Sequence, residues 1–159
     1  IESNTMEFSF CSVSLHRVLN EIGSAQRINM REGVELLLDL PGQEVTVYTD
    51  SARLSQVINN LVNNAIKFTS EGNIRIGYRP AASGYVNIFV EDTGTGMSRE
   101  VLEHIFDRFY KGDSFKQGTG LGLSICKTIV KRFEGKIEVT STPGKGTCFT
   151  ITLPLKVEE

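Results

Sequence analysis

The stretch from Asp50 to Phe68 constrains the fold most, because its apolar residues recur with the period of an α-helix. Asp50 is a suitable N-cap, and turn-forming residues predict that the helix ends near Phe68. One stripe is apolar and predicts packing on a core; its residues are Leu54, Val57, Ile58, Leu61, Val62 and Ala65. The opposite face is polar and presents two amides and one ammonium group: Asn60, Asn64 and Lys67.

Other strand and helix patterns surround this helix and predict the order β α β β α β β, loop, α β β. The predicted strands cover residues 7–11, 34–40, 44–49, 74–79, 85–91, 136–141 and 147–153. A first helix begins after Ser14, a third covers 120–133, and the strands over 34–40 and 44–49 are close enough to form a hairpin. We therefore expect an α+β fold: a two-layer α/β sandwich of a mixed, mostly antiparallel sheet with three helices on one face.

The composition limits the class of protein. The chain of 159 residues, 40% of them hydrophobic, is long enough for one core, and we expect a single domain over residues 1–159. Its 17 basic and 19 acidic side chains are dispersed, so nothing favours nucleic acid or a membrane surface as a partner. No apolar run approaches the roughly 18 residues that span a bilayer, which predicts a soluble chain without direct membrane insertion. Three cysteines lie in apolar patterns without metal-binding spacing, and we expect buried, reduced thiols: Cys11, Cys126 and Cys148.

The polar face of the long helix offers groups that suit a metal-bound phosphate. An asparagine oxygen is a hard ligand of the kind Mg²⁺ takes, because this ion keeps several waters and binds few protein groups beside substrate phosphates. The ammonium group of Lys67 would neutralise phosphate charge. Taken alone, the same residues also fit the solvated face of an ordinary amphipathic helix.

A glycine-rich turn, Asp92-Thr93-Gly94-Thr95-Gly96-Met97, follows the predicted strand over 85–91. The aspartate can end that strand facing a cleft, where it would suit an adenine amino group, and the glycines let the backbone approach a ligand. The same residues also fit an ordinary tight turn, in which glycine adopts positive φ.

A second glycine-rich segment, Gly118-Thr119-Gly120-Leu121-Gly122-Leu123, ends a polar loop and opens the predicted third helix. Unpaired amides and the positive end of the helix dipole would favour phosphate there. The segment lacks the lysine of a P-loop, and no strand immediately precedes it as in a dinucleotide fold. We therefore expect a phosphate-binding segment of another kind, preceded by a mobile loop.

The order of these motifs resembles the catalytic and ATP-binding domain of sensor histidine kinases over nearly the whole sequence. The asparagine helix matches the N box, and the two glycine-rich segments match the glycine boxes. Phe106-Asp107-Arg108-Phe109-Tyr110 matches the phenylalanine box, and Thr142-Pro143-Gly144-Lys145-Gly146-Thr147 follows in family order. The resemblance implies the Bergerat (GHKL) fold, an ATP lid over about 107–119, ATP and Mg²⁺ as cofactors, and protein-histidine kinase activity.

The resemblance also implies roles for individual residues. Asn64 would be the Mg²⁺ ligand, Asn60 a phosphate or metal-water contact, and Lys67 a phosphate contact. Asp92 would be the partner of the adenine amino group. The remaining implied nucleotide contacts are Phe68, Gly94, Gly96, Met97, Tyr110, Lys111, Gly118, Thr119, Gly120, Leu121, Gly122 and Thr147. The residues implied in transfer itself are Asn60, Lys67 and Lys111.

Three positions depart from the family pattern. Lys111 stands where many members have arginine, so it offers a phosphate a single point charge instead of a planar fork. Thr95 and Met97 stand where isoleucine is common. Methionine is apolar and adaptable enough to line a base pocket, so this change does not indicate inactivation.

Kinase, hydrolase and inactive nucleotide-binding module are the alternatives for activity. The same fold resembles chaperone, gyrase and mismatch-repair ATPases, in which a glutamate four residues before the metal-binding asparagine activates water. That position here is Asn60, and an amide cannot accept a proton near neutral pH. An inactive module would have damaged boxes, whereas Asn64, Asp92 and Gly96 are present. We therefore expect a kinase.

A kinase of this type needs partners. Neither His16 nor His104 has the acidic neighbour and helical motif of the family's phosphoacceptor, so we expect structural roles for both. The acceptor histidine would lie on a dimerisation domain expected before residue 1, and the phosphate would pass to a response-regulator receiver domain. The strand pattern at the start predicts a module cut from a longer protein. The resemblance implies a cytoplasmic domain and leaves open whether the full protein is anchored in a membrane.

Overall fold

A computed structural model describes residues 7–107 and 122–155 of the chain. The described strands are β1 (Cys11–Ser14), β2 (Val34–Asp39), β3 (Thr46–Thr49), β4 (Gly72–Ala81), β5 (Tyr85–Asp92), β6 (Lys136–Thr142) and β7 (Gly146–Pro154). The described helices are α1 (Leu15–Arg27), α2 (Ser51–Phe68), α3 (Arg99–His104) and α4 (Gly122–Arg132). Within these ranges, no helix is both long enough and apolar enough to cross a membrane.

Five strands form the main sheet, in the order β2-β4-β5-β7-β6. The β2–β4 pair is parallel, and the other three pairs are antiparallel. A separate two-stranded antiparallel sheet joins β1 to β3. Helices α1, α2 and α4 pack against the main sheet, with α2 between the other two. The predicted α+β class, with a mixed and mostly antiparallel sheet and helices layered on it, is confirmed.

The helix starts follow from local chemistry. Ser14 Oγ accepts the Arg17 amide at 3.2 Å and caps α1. Asp50 Oδ1 accepts the Arg53 amide at 2.9 Å and caps α2. Each cap satisfies an amide that has no partner within the helix, so the chain specifies both starts locally. The predicted caps, and the predicted end of α2 at Phe68, are confirmed.

Strand alternation decides which side chains reach the helix layer. Successive residues of a strand point to opposite faces, and on β5 the buried ones are Val86, Ile88, Val90 and Asp92. On β7 the buried residues are Thr147, Phe149, Ile151 and Leu153. The alternation therefore carries one carboxylate and one hydroxyl into the buried face, at the end of the sheet where the apolar residues stop.

Three predictions about the elements are wrong. The expected hairpin over 34–40 and 44–49 does not form, because β2 pairs with β4 in the main sheet and β3 pairs with β1 in the small one. The first strand is Cys11–Ser14 and not 7–11. Helix α3 lies in a stretch for which no helix was predicted; it has six residues and one buried side chain, Val101, so it leaves almost no periodic pattern.

The prediction of buried cysteines holds for one of the three. Cys126 is buried, Cys148 is half-buried and Cys11 is exposed. Cys11 lies on β1, whose first two residues are both exposed and whose one partner strand among the described residues is the short β3. The core reaches β1 only at Val13, so Cys11 stays exposed.

Candidate functional site

A small cleft lies where β5 ends and β7 begins. Asp92, the last residue of β5, is paired with Thr147 on β7, and both side chains are 7% exposed. The cleft is lined by Asn64, Ala65, Phe68, Asp92, Met97, Thr147 and Phe149. Five of these were predicted as nucleotide contacts. The sequence reasoning missed Ala65 and Phe149, which it could have found only as apolar neighbours of Asn64 and Thr147 in their elements.

Burial dominates the electrostatics of Asp92. It raises the pKa of this carboxyl above the ordinary value, while hydrogen bonds from the amides of Gly94 and Thr147 act in the opposite direction. The Gly94 amide donates to Asp92 Oδ1 at 2.8 Å. A buried carboxylate is costly unless it accepts hydrogen bonds, so a further donor in the cleft would stabilise its charged form.

The glycine-rich turn after β5 packs against two other backbone segments. A Cβ at Gly94 would lie 2.1 Å from the Phe68 carbonyl oxygen, and one at Gly96 would lie 2.2 Å from the Thr142 carbonyl oxygen. Gly96 also has a φ of +72°, which favours glycine. The Thr95 amide donates to the Phe68 oxygen at 3.0 Å and ties the turn to the end of α2. The glycines thus let the turn approach the protein itself, and their contact with a ligand stays a prediction.

Helix α2 brings part of its polar face to the cleft. Asn64 is half-buried and lines the cleft, and Asn60, one turn earlier, is also half-buried. Lys67 lies about one turn later and is exposed. The structure therefore places Asn64 at the cleft, with Asn60 and Lys67 on either side of it along the helix.

Asn60 is held by a buried thiol on α4. Its Nδ2 donates to Cys126 Sγ at 3.6 Å, and Cys126 Sγ in turn donates to the Val57 carbonyl oxygen at 3.7 Å. Burial raises the pKa of the Cys126 thiol to about 12, so the thiol keeps its proton at neutral pH. This contact uses one Nδ2 proton, so the Asn60 carbonyl oxygen and the second Nδ2 proton remain for a ligand.

The other two asparagines of α2 make a different contact. Gln26 on α1 donates from Nε2 to Asn59 Oδ1 at 2.8 Å and to Asn63 Oδ1 at 3.3 Å. Its Oε1 accepts from Asn29 Nδ2 at 3.0 Å, and Gln26 itself is 6% exposed. This amide network joins α1 to α2, and none of its four residues lines the cleft.

Several predicted contacts lie outside the described residues: Tyr110, Lys111, Gly118, Thr119, Gly120 and Leu121. Of the predicted lid over 107–119, the structure describes Asp107 alone. Gly122 begins the described part of α4, and a Cβ added there would lie 4.0 Å from Asn60 Cγ. The start of α4 therefore lies beside Asn60. On the other side of the gap, Phe106 packs edge-on against Phe149, with ring centroids 6.3 Å apart.

The described residues fit a nucleotide and a divalent cation. Ala65, Met97 and Phe149 give the cleft apolar walls, as a planar base requires, and Asp92 gives it a single acidic group. Asn64 provides a carbonyl oxygen at the same cleft, which suits Mg²⁺ beside waters and phosphates.

The two histidines lie elsewhere. His16 Nδ1 contacts the hydroxyl of the fully buried Tyr78, and their rings lie edge to face with centroids 5.6 Å apart. His104 Nδ1 lies 2.9 Å from Asp107 Oδ2, on the surface. Neither histidine is among the residues that line the cleft.

Known proteins with similar sequences cover most of this chain. A family model described as Histidine kinase-, DNA gyrase B-, and HSP90-like ATPase matches residues 49–157. The chain is 42% identical over 127 residues to the adaptive-response sensory kinase SasA of Crocosphaera subtropica. It is 37% identical over 134 residues to the aerobic respiration control sensor protein ArcB of Escherichia coli. These matches cover 78% and 81% of this chain but 33% and 17% of the two relatives, so the chain spans a third or less of their length.

Solved structures share the fold. Full-length ShkA in complex with AMPPNP matches with a TM-score of 0.87 at 27% identity, over 96% of this chain and 32% of that one. The nucleotide-free catalytic domain of the histidine kinase ThkA matches with a TM-score of 0.83 at 28% identity, over 94% of this chain and 100% of that one.

Proposed function

This chain belongs to the histidine kinase-, DNA gyrase B- and HSP90-like ATPase family, as a catalytic ATP-binding domain of the histidine-kinase type, and we propose that it is a phosphate donor. In this proposal it binds Mg²⁺-ATP and transfers the γ-phosphate to a histidine on a separate dimerisation domain. The observation that carries the proposal is that one cleft holds both Asp92 and Asn64, an acceptor for a base and a hard oxygen for a metal.

The base end of the cleft consists of Asp92, Met97 and Thr147. We propose that the Asp92 carboxylate accepts the adenine amino group, because this buried acid lines the cleft and its two oxygens can accept a further donor besides the amides of Gly94 and Thr147. Met97 and the neighbouring Phe68 and Phe149 would pack against the ring.

The phosphate end is formed by Asn64, which lines the cleft, and by Asn60 and Lys67 on either side of it along α2. In the proposal Asn64 ligates Mg²⁺, Asn60 contacts a phosphate or a metal-bound water, and the exposed Lys67 neutralises phosphate charge. Bound Mg²⁺ would supply charge neutralisation at the phosphates. The start of α4 beside Asn60 supports a phosphate contact from Gly122. The proposal also includes the predicted contacts outside the described residues: Tyr110, Lys111, Gly118, Thr119, Gly120 and Leu121.

The residue at position 60, Asn60, favours transfer of the γ-phosphate over hydrolysis of ATP. Related ATPases use a glutamate there to activate water, whereas Asn60 is an amide, which cannot accept a proton near neutral pH, and its Nδ2 donates to Cys126. Among the described residues that line the cleft, Asp92 is the one carboxylate, and it lies at the base end. A site without a base beside the γ-phosphate hydrolyses ATP slowly, as a phosphate donor requires.

The proposed partners are domains outside this chain. The relatives are named as sensor kinases and are much longer than the matched segment. We propose that the acceptor histidine lies on a dimerisation domain of the parent protein and that a response-regulator receiver domain takes the phosphate onward. We also propose that the chain works in the cytoplasm, where ATP and receiver domains are found.

Calorimetry and phosphate transfer test this proposal together. The chain should bind Mg²⁺-ATP, and γ-³²P-labelled ATP should label a histidine-bearing helical hairpin from the parent protein only when this chain is present. The label should be acid-labile and base-stable, as expected of a phosphohistidine. Release of ADP and phosphate at a rate unaffected by the hairpin would instead support a hydrolase, and binding without transfer would support an inactive nucleotide-binding module.

A further inference from the structure

Ser141 lies beside the base end without lining it. It is half-buried on β6 and stands opposite Thr147 in the β6–β7 pair. Its Oγ has three polar neighbours: it accepts the Met97 amide at 2.8 Å, donates to the Gly146 carbonyl oxygen at 3.0 Å, and lies 2.8 Å from Thr147 Oγ1. One hydroxyl thus joins the glycine-rich turn to the start of β7.

The three contacts fix the direction of each proton. A serine hydroxyl has one proton and two lone pairs. The Met97 amide must donate to one lone pair, and the Gly146 carbonyl has no proton, so Ser141 must donate to it. The remaining contact is satisfied only if the Thr147 hydroxyl donates to the second lone pair of Ser141. The opposite direction would leave Ser141 Oγ and the Gly146 oxygen as two acceptors facing each other without a proton.

The direction of the Thr147–Ser141 hydrogen bond determines what Thr147 can offer a ligand in the cleft. The Thr147 hydroxyl donates its proton to Ser141. Thr147 and Asp92 both line the cleft, and Thr147 Oγ1 therefore presents only lone pairs to it. Ionised Asp92 is also acceptor-only. We propose that Ser141 is a positioning residue that makes the base end acceptor-only, and that it thereby selects a 6-amino purine over a 6-oxo purine.

This inference rests on the proposed function, because it assumes that a base enters at Asp92. An amino group at position 6 donates to the acceptors it meets. An oxygen at that position meets lone pairs and leaves buried acceptors unpaired, which is the strongest basis for rejecting a near-identical ligand. Removing the Ser141 hydroxyl would free the Thr147 proton to rotate into the cleft, where it can donate to such an oxygen.

The test compares ATP with inosine triphosphate, which carries an oxygen in place of the amino group. Calorimetry gives both affinities for the wild-type chain, for Ser141→Ala and for Ser141→Thr, which keeps a hydroxyl. The ratio of ATP affinity to inosine triphosphate affinity should fall about tenfold in Ser141→Ala, the effect of about one hydrogen bond, and return towards wild type in Ser141→Thr. Thr140→Ala is the matched control, since Thr140 is the exposed neighbour on the same strand.

The ratio of ATP affinity to inosine triphosphate affinity distinguishes a positioning role of Ser141 from a general effect of Ser141 on the stability of the fold. Loss of the Met97 contact weakens both nucleotides alike and cancels in the ratio, and thermal unfolding reports any loss of stability. If Ser141→Ala does not fold, Thr147→Val carries the test, because removing the hydroxyl should also lower the ratio. An unchanged ratio in the folded variant overturns the inference while leaving the proposed function intact. A wild-type chain that binds neither nucleotide overturns both.

Discussion

The two ends of the cleft are built in different ways. At the base end, three residues from separate elements are each at most 7% exposed: Asp92, Met97 and Thr147. At the phosphate end, all three residues come from α2 and are half-buried or exposed: Asn60, Asn64 and Lys67. Strand pairing and buried hydrogen bonds hold the first set in place. The geometry of one helix aligns the second set, and Cys126 also holds Asn60.

The difference indicates which part of the site is formed before the ligand arrives. Buried side chains with hydrogen-bond partners lose little freedom on binding, whereas more exposed side chains lose more. Changes at the base end should therefore affect every adenine nucleotide. Changes at the phosphate end should affect binding that depends on Mg²⁺ and the terminal phosphate.

The largest effect on binding is expected for Asp92→Asn. A hydrogen bond to a charged group contributes about 1.5–3 kcal/mol, so affinity for ATP and for ADP should both fall by up to about a hundredfold. The fold should not be destabilised, because burial already disfavours the charged form of Asp92 and raises its pKa. Calorimetry and thermal unfolding measure the two effects. Unchanged affinity for ADP would contradict the assignment of Asp92 to the base.

Gly94→Ala should damage the base end through the backbone. The new Cβ would lie 2.1 Å from the Phe68 carbonyl oxygen, so the turn must shift, and we expect a loss of about 2 kcal/mol in the free energy of unfolding. Gly42→Ala is the matched control, since nothing lies within 4 Å of a Cβ at that position. Chemical denaturation measures both variants. Equal stability would show that the close approach at Gly94 is easily relieved.

Neighbouring asparagines of α2 should separate function from stability. Asn64→Ala should weaken Mg²⁺-ATP binding about tenfold and leave ADP binding in the presence of a chelator unchanged, because it removes the proposed metal ligand. Asn63→Ala should leave affinity unchanged but lower the free energy of unfolding by about 1 kcal/mol, because Gln26 loses one acceptor. Equal effects of the two variants on Mg²⁺-ATP binding would contradict the assignment of Asn64 as the metal ligand.

The smallest effect is expected from pH. Because burial raises the pKa of Asp92, ATP binding should weaken as the pH falls towards that pKa, since the protonated carboxyl is a poorer acceptor for the adenine amino group. The folding stability changes in the opposite direction with pH. The protonated Asp92 side chain contributes most to the free energy of unfolding below the ordinary pKa of 3.8, and this contribution is lost as the pH rises through the folded-state pKa. Asp92→Asn is the control, since the titration of ATP itself affects both proteins. The same pH dependence in both would exclude Asp92 as its cause.

Features that depend on residues close in the sequence could be predicted, whereas features that depend on distant residues could not. Ser14 and Asp50 were identified as caps because a cap acts on amides three residues away. The expected hairpin over 34–40 and 44–49 failed because a short turn between two strands does not specify whether they pair with each other. The chain instead crosses from the main sheet to the small one, where the Val45 amide donates to the buried Tyr78 hydroxyl at 3.1 Å.

By itself the sequence determined the long helix α2, its apolar stripe and its polar face, because helical periodicity is a local property. Five residues predicted for the site do line one cleft. The sequence had already singled out Asn60 and Asn64, and the tertiary structure added that Asn59 and Asn63 instead bind Gln26, while Asn64 reaches the cleft. Ser141 was not among the predicted residues, and only strand pairing brings it beside Thr147 and the end of β5, because pairing joins residues far apart in the chain without a local signal.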